Sequence, residues 1–137
     1  MRFVLVVSGL LGLAALGTAQ KPESVPIRPA PAESGQAMLS QYCAVCHGKD
    51  AKGSGPAAPA LKVPPPDLTT LARRNGGTFP SAHVSNVIRL GGEVAAHGSK
   101  DMPMWGRAFS SLSPHDYTIV QQRIANLTSY IKSLQEK

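Results

Sequence analysis

A chain of 137 residues leaves room for one domain beyond any leader, and a domain of that size gains only modest stability from its apolar core alone. Lys and Arg outnumber Asp and Glu by 14 to 8 for a formal charge of +6. The basic residues, among them Lys49, Lys52, Lys62, Arg73, Arg74, Arg89, Lys100, Arg107 and Arg123, form no long run and have few aromatics between them, which argues against a nucleic-acid partner and suits an acidic one approached by electrostatic steering.

The chain opens as an export signal over residues 1–19. Met1-Arg2 is the positive start, residues 3–16 are mostly apolar, and Gly17-Thr18-Ala19 offers small residues for cleavage, with the mature protein starting near Gln20. The apolar stretch is interrupted by Ser8, Gly9 and Gly12 and falls short of the about 20 apolar residues of a bilayer span, so an uncleaved anchor is the lesser reading. A periplasmic or otherwise exported location follows. Residues 20–33, with Pro22, Pro26, Pro29 and Pro31 and no apolar period, read as an extended tether, and one domain remains over residues 34–137.

Ser34 is placed as the N-cap of a helix over residues 35–45, with Met38, Leu39, Tyr42 and Val45 on its apolar face. The helix runs into Cys43-Ala44-Val45-Cys46-His47, which holds both cysteines of the chain. Two thiols three residues apart on a helical turn can each add to one vinyl group of a single porphyrin, forming thioethers, while the adjacent imidazole reaches the metal. That is the attachment signature of one covalently bound haem c. Zinc would need further ligands, and His47, His83, His97 and His115 stand at spacings that match no compact knuckle. A thioredoxin-like centre would need a strand leading into the motif. A Cys43 to Cys46 disulfide would close a loop too short to restrain the unfolded chain much, and would leave His47 without a role.

Small residues and prolines dominate residues 48–66, a loop composition. Asp67 then caps a short helix through Arg74, which Asn75-Gly76-Gly77 stops. Pro80 starts a helix through Leu90, with Val84, Val87 and Ile88 apolar, ended by Gly91-Gly92. Residues 91–106 read as a loop that holds Met102-Pro103-Met104-Trp105. An electron-transfer haem fills its second axial position, often with a Met thioether. Met102 is the candidate, because Pro103 behind it stiffens the backbone and favours an extended presentation; Met104 and His97 are the alternatives. In the last helix, Ser113 is the cap, Pro114 the first helical residue and Asp116 an acid in the first turn. Its stripe runs through Tyr117, Val120, Ile124, Leu127, Ile131 and Leu134. Nothing alternates like a strand, so the class is all-α.

Taken together, residues 35–134 resemble a class I mono-haem cytochrome c. The resemblance rests on the CxxCH segment, on Gly35 and Leu39 ahead of it, on Gly55-Pro56 and Pro59-Ala60-Leu61, on Met102-Pro103 and on the final amphipathic helix. It implies the cytochrome c fold, four to five helices packed around one haem. Gly35 would let the first helix meet the last near Leu127 and Tyr130. The Pro59 carbonyl would accept a hydrogen bond from His47, and Leu61 and Trp105 would stand at the haem. Arg89 and Arg107 are candidates to pair with its carboxylates, whereas His83, His97 and His115 are most simply surface or loop residues. Residues 62–78 depart from the simplest members. The implied role is a one-electron carrier rather than an enzyme, working between exported or membrane-bound redox partners, with a haem accessory subunit of a membrane respiratory complex as a variant. A peroxidase or gas-binding haem protein would need Met102 off the iron and His83 or His97 poised as acid or base.

Overall fold

The computed structural model describes residues 28–91 and 102–136. The expected export signal, residues 20–27 of the expected tether, and His97 lie outside them. The regular elements among the described residues are all helices, without a strand, as the all-α reading requires.

The first helix is continuous but changes character midway. Ser34 Oγ accepts from the Ala37 N–H at 3.1 Å and caps α1 (Gly35–Met38); a π-helical turn (Leu39–Cys43) follows, then α2 (Ala44–His47). The Ala44 N–H reaches back five residues to the Leu39 carbonyl, so the turn carries one residue more than an α-helix would. That extra residue shifts the phase. Met38, Leu39, Tyr42 and Cys43 are buried, while Val45, expected on the same face, is 53% exposed.

Gly48, at φ 79°, ends the helix, and the loop after it is laced back onto α2. The N–H groups of Gly53, Gly55 and Ala57 donate to the carbonyls of His47, Cys46 and Val45 at 2.7, 3.0 and 2.8 Å. A 3-10 turn (Ala58–Ala60) follows. Asp67 caps as expected, accepting from the Thr69 N–H at 2.8 Å ahead of a second 3-10 turn (Leu68–Thr70) and α3 (Leu71–Arg74). Next comes α4 (Ser81–Leu90), with Val84 and Ile88 inward and Gly91 at φ 77° as its end.

One helix was not expected. α5 (Trp105–Leu112) begins where the loop reading ran on, and Trp105, Ala108, Phe109 and Leu112 carry the i, i+3, i+4, i+7 spacing that forms its inward face. The start of α6 (Tyr117–Ser133) also differs. Its cap is Asp116, whose carboxylate accepts from the Ile119 N–H at 3.1 Å, and not Ser113. His115 adopts φ 69°, which no residue inside a right-handed helix can hold, so Ser113, Pro114 and His115 form a turn outside it.

α6 is the centre of the packing, in contact with α1, α4 and α5. Met38, Phe109, Ile124 and Leu127 are its fully buried neighbours and members. At Gly35 a Cβ would stand 2.5 Å from Tyr130 Cβ and closer still to the Asn126 carbonyl oxygen, so the close approach of first and last helix needs glycine there. Of the expected stripe, Val120, Ile124, Leu127 and Ile131 are buried, Leu134 is half-buried and Tyr117 is 69% exposed.

The end of the expected tether is part of the fold. Tyr42 Oη accepts from the Ala30 N–H at 2.6 Å and donates to the Arg28 carbonyl at 2.8 Å. Arg123 and Asn126 of α6 donate to the carbonyls of Ala30 and Ala32. The folded part therefore includes residues from Arg28 on, ahead of the boundary expected at Ser34.

Candidate functional site

Between the first helix, the proline loop, α3, α4 and the chain entering α5 lies a cleft of about 540 Å³. Cys43, Cys46 and His47 line one side of it, and Met102, Pro103 and Trp105 also reach it. Leu61, Val63, Leu71 and Val87 contribute apolar wall. A smaller space of about 120 Å³, lined by His47, His83 and Met102, extends toward Leu127 and Ile131 of α6.

The buried ring of His47 has Nδ1 3.3 Å from the Pro66 carbonyl oxygen. A carbonyl only accepts, so Nδ1 carries the proton and Nε2 keeps its lone pair for a metal. Burial lowers the pKa of the ring more than the Pro66 carbonyl raises it, which favours the neutral form that a ligand needs. The expected acceptor was Pro59. That residue is instead exposed within the 3-10 turn (Ala58–Ala60) and does not line the cleft. The reason is the lacing of the loop: Ala57 is tied to Val45, which carries Pro59 outward, and the chain returns across His47 only at Pro66, just before the Leu68 N–H donates to Ala51 at 2.8 Å.

Neither cysteine is in a disulfide. Burial, and secondarily the neighbouring Cys46, push the Cys43 thiol up to about 12, so as a free thiol it is protonated at neutral pH. Among the described residues no three His, Cys, Asp or Glu side chains gather as a metal-holding group, so the zinc reading finds no ligand set there.

Of the residues expected at the site, Cys43, Cys46, His47, Leu61, Met102 and Trp105 all face one cleft. Met104, the alternative to Met102, is 42% exposed, caps the start of α5 and packs near Gly91. Trp105 belongs to an aromatic cluster, its ring 5.3 Å from Tyr42 and 5.7 Å from Phe109. Arg89 bonds Gln121 on α6 at 3.0 Å and Arg107 is exposed; neither lines the cleft. Arg74 does, as does His83, which is exposed as the surface reading expected and stands at the same time in the cleft wall. His83 shares its α4 face with Val87 at i, i+4, a spacing legible in the sequence once the helix is turned toward a cofactor.

The donor set fits a c-type haem: two unpaired thiols on one helical segment, a neutral imidazole with its Nε2 free, a thioether in the same cleft, and apolar walls between them. A family model described as cytochrome c matches residues 32–135, about three quarters of the chain and the whole of this cleft. No solved structure matches the chain.

Proposed function

The chain belongs to the cytochrome c family, whose members bind haem and transfer electrons, and from that premise we propose that it is an exported one-electron carrier with its haem iron held between His47 and Met102. Family membership implies haem c attached through Cys43 and Cys46, and when bound the haem supplies an iron that alternates between ferrous and ferric.

The chain's own residues do the rest. His47, donating from Nδ1 to the Pro66 carbonyl, has its ring fixed and made a better electron donor at Nε2. Met102 enters the cleft with Pro103 restricting its backbone. Leu61, Val63, Leu71 and Val87 give the cleft an apolar lining, which suits a neutral thioether better than a charged ligand. The observation that carries the reading is that His47 and Met102 line the same cleft while Met104 does not.

The test is the absorption spectrum of the ferric protein. A weak band toward the red, expected of a Met thioether on ferric iron, should disappear in Met102→Ala and persist in Met104→Ala. Loss of the band in Met104→Ala instead would overturn the ligand assignment. A second reading takes its support from His83 in the cleft wall, which could act as acid or base beside an iron with an open distal position. It predicts a high-spin ferric spectrum for the unaltered protein. Lys49, Lys62 and Arg74 are exposed, Arg74 at the cleft itself, and suit redox partners with acidic docking surfaces, whether soluble or part of a membrane complex.

A further inference from the structure

We propose that Gln135, next to the end of the chain, is a positioning residue for the haem's histidine, acting through the segment whose Pro66 carbonyl orients His47. The proposal rests on His47 being the iron's ligand, as argued above.

Three hydrogen bonds converge on this one half-buried side chain. Its Oε1 accepts from the Ala72 N–H at 2.8 Å, and its Nε2 donates to the Leu68 carbonyl at 2.7 Å and to the Ile131 carbonyl at 2.9 Å. The last of these ties it to α6, and the first two tie α6 to residues 68–72. That segment is a 3-10 turn followed by the four-residue α3, whose N-cap Thr70 turns its hydroxyl to the Asp67 carbonyl at 3.3 Å and makes no side-chain capping bond to α3. Gln135 supplies the missing acceptor for the start of α3.

Leu68 is the link to the site. Its N–H is held by the Ala51 carbonyl at 2.8 Å and its carbonyl by Gln135, so both of its peptide groups are pinned two residues beyond Pro66. Glu136 adds its backbone N–H to the Thr69 carbonyl at 2.9 Å and accepts from Lys52 at 3.1 Å. That ion pair is 52% and 40% exposed, so screening leaves it little weight and the neutral clamp of Gln135 dominates.

The His47 to Pro66 contact is already long at 3.3 Å, so it is sensitive to small displacements of the Pro66 carbonyl. Slackening it withdraws electron density from the ring, weakens the preference for ferric iron and moves the reduction potential upward.

The experiment uses the full-length, haem-loaded protein and compares Gln135→Ala and Gln135→Glu with the unaltered chain. Both variants lose the donor to Leu68, so both should show a more positive potential. In the ferrous protein, NMR should show the His47 Nδ1 proton exchanging about fivefold faster, the factor that one hydrogen bond of ordinary net strength carries. Asn126→Ala, which releases the Ala32 carbonyl on the opposite side of α6, should leave both quantities unchanged even where it lowers stability. Unmoved potential and exchange in Gln135→Ala, alongside reduced urea stability, would assign the residue a structural role only and overturn the proposal. Absence of covalent haem from the unaltered protein would instead overturn the functional reading beneath it.

Discussion

The corner where the first helix meets α6 and the wall that the proline loop makes on the cleft are built in different ways. At the corner, side chains meet side chains: Met38, Phe109, Ile124 and Leu127 are almost completely buried, and two backbones come together over Gly35. The wall is held by backbone hydrogen bonds to α2 and by the clamp from Gln135, and the apolar residues at the cleft are left uncovered, Val63 of the loop at 48% exposed and Val45 of α2 at 53%. The corner thus completes its own burial, whereas the wall presents apolar surface that a large flat apolar group would cover. Burial of that surface is the stabilising contribution a covalently held haem makes in so small a domain.

The contrast is broken most severely at Gly35. Gly35→Val should lower the free energy of unfolding by about 3 kcal/mol or more, since a branched side chain would be driven into Asn126 and Tyr130 of α6. Urea denaturation would measure the loss, and a cleft of separate construction should keep its ferric absorption spectrum in the folded fraction.

The wall can be probed at Asp67, whose carboxylate accepts from the Thr69 N–H and from the Thr69 hydroxyl at 2.6 Å. Asp67→Ala should cost about 1 kcal/mol at neutral pH, the usual worth of a cap. The Thr69 hydroxyl holds the Asp67 carboxyl below its ordinary value, against the opposing effect of desolvation. A lowered folded value contributes stability that is fully present above the unfolded pKa, near pH 4, and is lost as pH falls through the folded one. The gap in urea midpoint between the two proteins should therefore be widest at neutral pH and close under acid; a gap independent of pH would contradict this account.

The smallest effect belongs to the turn before α6, outside both regions. His115 is exposed and sits at φ 69°, so His115→Gly should relieve backbone strain and stabilise by less than about 1 kcal/mol after the added freedom of the unfolded chain is subtracted. Thermal unfolding would register it as a slight rise in midpoint.

The helices were legible because their signals are local and periodic: the Ser34 cap, the Asp67 cap, the glycine stop at Gly91 and the stripe from Val120 to Ile131 all lie where spacing puts them. The cysteines and His47 were legible for the same reason. What escaped the sequence depends on how the chain returns through space. Pro59 and Pro66 look alike as loop prolines, and only the backbone bonds of the loop to α2 decide which carbonyl meets His47. The stripe of α5 was present in Trp105, Ala108, Phe109 and Leu112, yet it spans only two turns and begins directly after the Met102-Pro103-Met104 run, whose loop character masks its start. Residues 28–33 looked like linker because their anchorage comes from Tyr42, Arg123 and Asn126, distant side chains offered to plain backbone carbonyls and N–H groups.

The π-helical turn (Leu39–Cys43) deserves a geometric reading. Each residue of an α-helix advances about 100° around the axis, so one surplus residue turns everything after it by that much against everything before it. Gly35, Met38 and Leu39 can then keep their azimuth toward α6 while Cys43, Cys46 and His47 take up another toward the cleft. A single rod thereby serves two surfaces, and the width of that one bulge sets the angle between the face it turns to α6 and the face it turns to the cleft.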